Sequence, residues 1–195
     1  MKKWILLLST LMLIFSLFGQ EAPKKSKAVP DYIKLQFAGG VGFASVGLGY
    51  DIRDKKIEGD ILYGYVPEKI GGTSIHTLTG KVTWFPLSNI SLKEIQIKPL
   101  SLGFLVNYTF GSQYFLFSPE NYPLDYYGYP TAMHLGVFVG GQVNKTLSDN
   151  TLFNRISLYY ELGTNDVELV SYATNTKALK ITDIFNLGIG VKTSF

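Results

Sequence analysis

The sequence predicts an all-β fold: an eight-stranded antiparallel transmembrane β-barrel with short turns at one end and longer loops at the other. Three observations carry this expectation. The chain has 20 glycines, 13 tyrosines and 13 phenylalanines, with only 17% charged residues, a composition that favours turns and pleated surfaces over helices. From Tyr32 onward apolar and polar residues alternate with period two, the periodicity of a strand with two unlike faces. The alternating segments are mostly 9 to 16 residues long, beyond the ~5–6 of soluble strands and near the ~9–11 that cross a bilayer at a tilt.

At the N-terminus, Lys2 and Lys3 precede an uncharged apolar run from Trp4 to Phe18. A basic n-region followed by an apolar h-region is the pattern of a secretory signal peptide, expected here over residues 1–20. The run is 15 residues long, short of the ~20 a spanning helix needs, although an uncleaved anchor is the other reading. Leu17 and Phe18 make a poor small-x-small cleavage site. Removing Lys2 and Lys3 takes the balance from 18 basic and 15 acidic residues to 16 and 15, so the mature chain is nearly neutral. Residues 21–31 begin with "EAPKKSKAVP", polar, unperiodic and carrying two prolines, and read as a periplasmic tail. The net charge of +3 gives no reason to expect nucleic acid. There is no cysteine, which excludes disulfides, thiolate metal sites and a lipidated cysteine anchor.

Residues 32–195 are expected to form the barrel, with strands at 32–42, 44–52, 56–66, 74–85, 98–109, 131–144, 151–163 and 180–195. In the last, Phe185, Leu187, Ile189, Val191, Thr193 and Phe195 share one face; Asn186, Gly188, Gly190, Lys192 and Ser194 share the other. In the sixth, Met133, Leu135, Val137, Val139 and Val143 oppose His134, Gly136, Phe138, Gly140, Gln142 and Asn144. In the seventh, Leu152, Ile156, Leu158, Tyr160 and Leu162 oppose Arg155, Ser157, Tyr159, Glu161 and Gly163. If the N-terminus is periplasmic, "RDK", residues 87–97 and "KTLSDN" connect strands on that side, and the other connections are mostly longer, as in outer-membrane barrels. Residues 87–97 are the exception.

Hydrocarbon offers backbone groups no partners, so a sheet survives there only by closing on itself. The interior of an eight-stranded barrel is just wide enough for side chains to fill. Lys34, Gln36, Asp51, Glu58, Asp60, Thr79, Lys81, Thr83, Arg155, Glu161 and Lys192 fall on the polar face, with mixed signs. The expectation is a plugged lumen with no open pore. Glu58 and Asp60 are expected to pair with Lys81 on the neighbouring strand, and Arg155 and Lys192 to bridge the last two strands. Tyr50, Tyr63, Tyr65, Trp84, Phe85, Tyr108 and Tyr160 fall near strand ends or edges, as in an interfacial aromatic belt. A secreted barrel with an apolar interior is the competing fold, but it would need its polar face outside.

The signal pattern, the even number of alternating strands and the terminal "VKTSF" together resemble the small outer-membrane barrels of Gram-negative bacteria, the OmpA, OmpX and OmpW type; no motif selects one subfamily. The resemblance implies a bacterial outer-membrane location, contact with outer-membrane lipids and lipopolysaccharide, and a role for Phe195 as the signal read by the barrel-assembly machinery.

Candidates for chemistry are few. A barrel enzyme modifying lipid A would use a hydroxyl, an imidazole and an acid, and the imidazoles available are His76 and His134. The lipid A deacylase family is similar in size and carries a His-x-Ser pair, whereas here the triplets are His76-Thr77-Leu78 and His134-Leu135-Gly136. The palmitoyl-transferase family needs His, Asp and Ser near the outer leaflet, and the adjacent Ser148 and Asp149 fall on the inward side. "GGVGF" (Gly39–Phe43) has no helix after it and reads as a tight turn rather than a phosphate loop. The tripeptides "NKT" and "NYT" match a glycosylation acceptor and carry little weight in a bacterial barrel. No His and carboxylate cluster has metal-ligand spacing, so neither metal nor cofactor is expected.

The outward segment "FGSQYFLFSPENYPLDYYGYP" (Phe110–Pro130) presents Tyr114, Phe115, Phe117, Tyr122, Tyr126, Tyr127 and Tyr129 on a stretch stiffened by prolines. Such rings offer contact area at low entropic cost, for an extracellular ligand or for packing over the barrel mouth. The functional reading is a filled barrel with a structural or surface-binding role. Two others stand beside it: a lipid A-modifying enzyme using His76 or His134, and a porin-like channel for a small hydrophobic solute, which the OmpW resemblance would allow.

Overall fold

The computed structural model describes residues 29–53, 55–117, 130–147 and 153–195. The signal peptide and most of the tail expected from the sequence lie outside these residues. Among the described residues there are nine strands: β1 (Tyr32–Ala38), β2 (Ala44–Ile52), β3 (Ile57–Val66), β4 (Ile75–Trp84), β5 (Ile90–Leu92), β6 (Ile95–Phe110), β7 (Met133–Thr146), β8 (Arg155–Asn165) and β9 (Asn186–Ser194). All pairings are antiparallel, β1 pairs with β9, and β4 pairs with β6, so eight long strands close a ring that bypasses β5. The fold is the closed eight-stranded barrel that the alternation predicts.

Closure fixes the tilt. Following directly paired residues from Arg155 through Ser194, Tyr32, Gly49, Asp60, Lys81, Leu105 and Gly136 returns to β8 at Asn165, ten positions above the start. A stagger of ten residues over eight strands corresponds to strands inclined by about 40° to the barrel axis. At that tilt a ten-residue strand rises roughly 25 Å, the height of the apolar band on membrane barrels.

Outside β6, the face assignments hold along the long strands. Leu35, Phe37, Val46, Leu48, Ile61, Val137, Leu158 and Ile189 point outward and are exposed, while Lys34, Gln36, Glu58, Asp60, Lys81, Glu161 and Lys192 point inward and are buried. This polar interior is the reverse of the secreted alternative.

Most boundaries differ from expectation by one to four residues, and three differences change the picture of the wall. Ile181–Ile184 is a 3-10 turn, so the last strand begins at Asn186, not 180. The first strand ends at Ala38, where φ turns positive (58°). The long connection at 87–97 is largely wall: β5 and Ile95–Ile97 of β6 form a hairpin, and the other edge of that segment pairs with β7. That accounts for the one connection that looked too long for its side.

At the end of the barrel away from Tyr32 and Ser194 lie the 39–43 turn, a short helix α1 (Glu68–Gly71), residues 111–117 and 130–132 of the connection after β6, and a nine-residue helix α2 (Asp166–Thr174). Helix α2 starts where Asn165 accepts from the Glu168 amide and Glu168 accepts from the Asn165 amide, two orphan donors satisfied reciprocally.

Candidate functional site

The interior is built around ring-on-glycine contacts. Tyr32 lies directly opposite Gly49, Phe138 opposite Gly103, and Tyr159 opposite Gly190, each on the neighbouring strand. A Cβ on any of these glycines would overlap the facing ring, so only glycine lets the ring lie flat on the wall. A lysine ammonium then sits over each ring: Lys192 over Tyr32 at 4.4 Å, Lys81 over Phe138 at 4.5 Å and Lys34 over Tyr159 at 4.5 Å. A fourth, Lys98, sits 3.6 Å above Phe85. Desolvated ammonium groups are held well by ring faces.

Carboxylates complete the set. Lys34 meets Asp60 at 2.7 Å, and Asp60 also accepts from the Tyr32 hydroxyl at 2.6 Å. Glu58 accepts from Lys192 at 2.6 Å and Lys98 at 3.2 Å. Lys81 meets Glu161 at 2.5 Å and donates to Gln36, which also accepts from Tyr159. Arg155 reaches Asp51 at 3.1 Å. Each of these pairs skips at least one strand around the ring.

That corrects the expected pairing. Asp60 and Lys81 are register partners, yet Asp60 bonds Lys34 and Lys81 crosses the lumen to Glu161. An extended lysine reaches toward the axis of so narrow a barrel, where carboxylates from the far wall are within range. Lys192 likewise crosses to Glu58 on β3, while Arg155 does bridge β8 to β9 through Ser194. Phe85 is also corrected: it is buried beneath Lys98, whereas Tyr63, Tyr65, Trp84 and Tyr160 are exposed on the outer wall.

Lys98 was missed as a lumen charge because the alternation slips beside it. Between Lys98 and Ser101 the register with β7 shifts, and Pro99 has no amide to donate there. Inward residues on β6 therefore change from even (Gln96, Lys98) to odd numbers (Ser101, Leu105, Asn107). The proline within a strand pattern was the available signal.

Above the charged layers the interior turns apolar. Val41 of the 39–43 turn is fully buried against Leu105 and Phe138. Its carbonyl accepts from Thr77 Oγ1 at 2.8 Å, and Gly40's carbonyl accepts from Asn107 at 2.8 Å. Gly39, Gly40 and Gly42 all have positive φ (78°, 79° and 132°), the backbone needed to fold the turn into the mouth. The glycine-rich segment is thus a turn, as expected, and also a stopper. A void of about 10 Å³ remains beside Lys34, Glu58 and Thr83, about one water.

The histidines occupy different surroundings. His76 is on the outer wall with Nδ1 2.6 Å from the Tyr63 hydroxyl and its ring tilted 38° against that of Tyr65. His134 is at the inner rim, Nδ1 3.2 Å from Asp166 and Nε2 3.2 Å from the Thr131 carbonyl. Among the described residues, His76 has a hydroxyl without an acid and His134 an acid without a hydroxyl, so neither heads a hydroxyl–imidazole–acid chain. His134 instead ties α2 to the base of the 111–132 connection.

Of the aromatic loop, Tyr114 and Phe115 are partly buried at its base, where the Phe115 carbonyl accepts from the Thr131 and Ala132 amides. Phe117 is 86% exposed. Tyr122, Tyr126, Tyr127 and Tyr129 lie outside the described residues, as do Ser148 and Asp149. Phe195 points outward at the opposite end, its ring 5.5 Å from that of Phe153.

No family model, no curated protein and no solved structure matches this chain.

Proposed function

We propose that the protein is an outer-membrane barrel of the small Gram-negative type, sealed along its axis, with a structural or surface-binding role carried by the loop end. The observation that supports this most directly is the pairing of opposites on one closed wall. Exposed apolar side chains cover the outside, and ion pairs that cross the lumen fill the inside. In water that arrangement leaves far more apolar surface uncovered than a soluble monomer tolerates. In a bilayer the closed ring pairs the backbone groups of its strands and keeps the lumen charges away from hydrocarbon.

The sealed interior argues for work done at the surface. Phe117 and the tyrosines that follow it form the recognition face for an extracellular ligand, and lipopolysaccharide and outer-membrane lipids surround the wall. Phe195, outward at the chain terminus, is the residue for the assembly machinery to read.

The test is fractionation of cells expressing the chain, followed by reconstitution in proteoliposomes. Recovery in the outer membrane, a heat-dependent shift in gel mobility and no tracer flux are the expected results. Recovery in a soluble fraction, or sustained flux of a small solute, would overturn the reading. Lipid A of unchanged mass in expressing cells is expected as well, since neither histidine has both triad partners.

A further inference from the structure

Near its loop end the outer wall has two unlike sectors. On β3, β4 and β6 two successive outward rows are mostly rings: Tyr65, His76 and Phe110, then Tyr63, Leu78 and Tyr108. These rings pack within and between the rows, with His76 against Tyr65 in one row and Tyr108 edge-on to Phe110 across the two, both at 5.1 Å between centroids. On β6, β7 and β8 one row is Leu102, Val139 and Leu162, and the next is Phe104, Val137 and Thr164. On β7 and β8 the shorter side chains leave a groove of about 350 Å³, closed at its upper end by Phe185. Between the two rows the wall is Gly103–Phe138–Gly163, with a glycine on each side of the one inward ring.

We propose that this groove seats one acyl chain of a membrane lipid; the inference rests on the membrane reading above. Its lining carries no charge and a single side-chain hydroxyl, Thr164, which already donates to Glu168, and this leaves little for a polar ligand to pair with. The volume lies at the lower end of the ~300–1,000 Å³ of small-molecule sites. A helix is ~10–12 Å across with its side chains and too wide to enter. A second barrel presents a convex wall, which touches along a line and leaves the groove empty. A linear hydrocarbon chain is narrow enough to lie along the two rows and end against Phe185.

Lipid tails are as apolar as leucine, so transfer into the groove brings no hydrophobic gain. What the groove adds is van der Waals contact on several sides at once. The chain is therefore slowed and ordered relative to its neighbours, and exchange continues.

The experiment is electron paramagnetic resonance of phosphatidylcholine labelled near the chain end, with the full barrel reconstituted in phosphatidylcholine vesicles. Val139→Trp fills the groove, Phe185→Ala opens its upper end without altering a strand, and Leu48→Trp adds the same ring on the opposite wall. The expected result is a motionally restricted fraction that falls by one lipid per barrel in the first two variants and matches the parent in the third. A fraction unchanged in both groove variants overturns the inference, as does an equal fall in Leu48→Trp. Failure of the parent barrel to float with the vesicles overturns the membrane reading itself, and is seen before any label is added.

Discussion

The two faces of the same eight strands obey different rules. On the membrane reading proposed above, outward positions such as Leu35, Val46, Leu48, Ile61 and Val137 need only be apolar, because lipid partners are fluid. Inward positions are specified one by one: Tyr32 needs Gly49 opposite it, Lys192 needs Glu58 across the lumen, and Lys81 needs Glu161. The difference teaches where stability resides. Along the outside it is spread over many interchangeable contacts; inside it is concentrated in a few pairs that tie non-adjacent strands.

The strongest way to break that contrast is to remove the carboxylate that serves two lysines. Glu58→Gln keeps the shape and leaves Lys192 and Lys98 without their counter-charge; a loss of about 3–5 kcal/mol is expected in urea unfolding of the reconstituted barrel. Replacing a whole pair should cost far less. Lys81→Met with Glu161→Leu is expected near neutral, since the burial penalty of both charges disappears with their attraction.

The outer wall has its own version of the test. Ile61→Arg places a charge near the middle of β3's outward face and is expected to cost ~2–4 kcal/mol in a bilayer, whereas Ile61→Leu should change little. An equal response to both would mean that the outer face does not meet hydrocarbon.

The ring-on-glycine contacts come next. Gly103→Ala forces the Phe138 ring off the wall and moves it against Lys81, at about 1–3 kcal/mol by overpacking. The smallest effect on folding is expected at Phe117→Ala, where the ring is almost wholly exposed. Unfolding should be unchanged there, and any loss should show only in ligand or cell-surface binding.

Much of this was legible beforehand. Period two in segments such as 186–194 makes one face apolar and the other polar wherever the strand lies, so outside β6 the faces could be read residue by residue, while closure was expected only from what a bilayer demands of a sheet. The partners of the inward charges could not. Register neighbours were the natural choice for Glu58, Asp60 and Lys81, because sequence alternation describes a sheet laid flat. The stopper was hidden for the same reason: Gly39–Phe43 reads as a turn, and nothing in its residues says that Val41 dips inside the mouth.

By itself, then, the sequence determined which side chains share a face on every long strand except β6, because a pleated strand alternates until a bulge such as that beside Pro99 interrupts it. The tertiary structure alone decided who meets whom. Closing the sheet with a ten-residue stagger brings β3 within reach of β9 and β4 within reach of β8, and only in that narrow curved space do a lysine, a ring and a distant carboxylate become one contact.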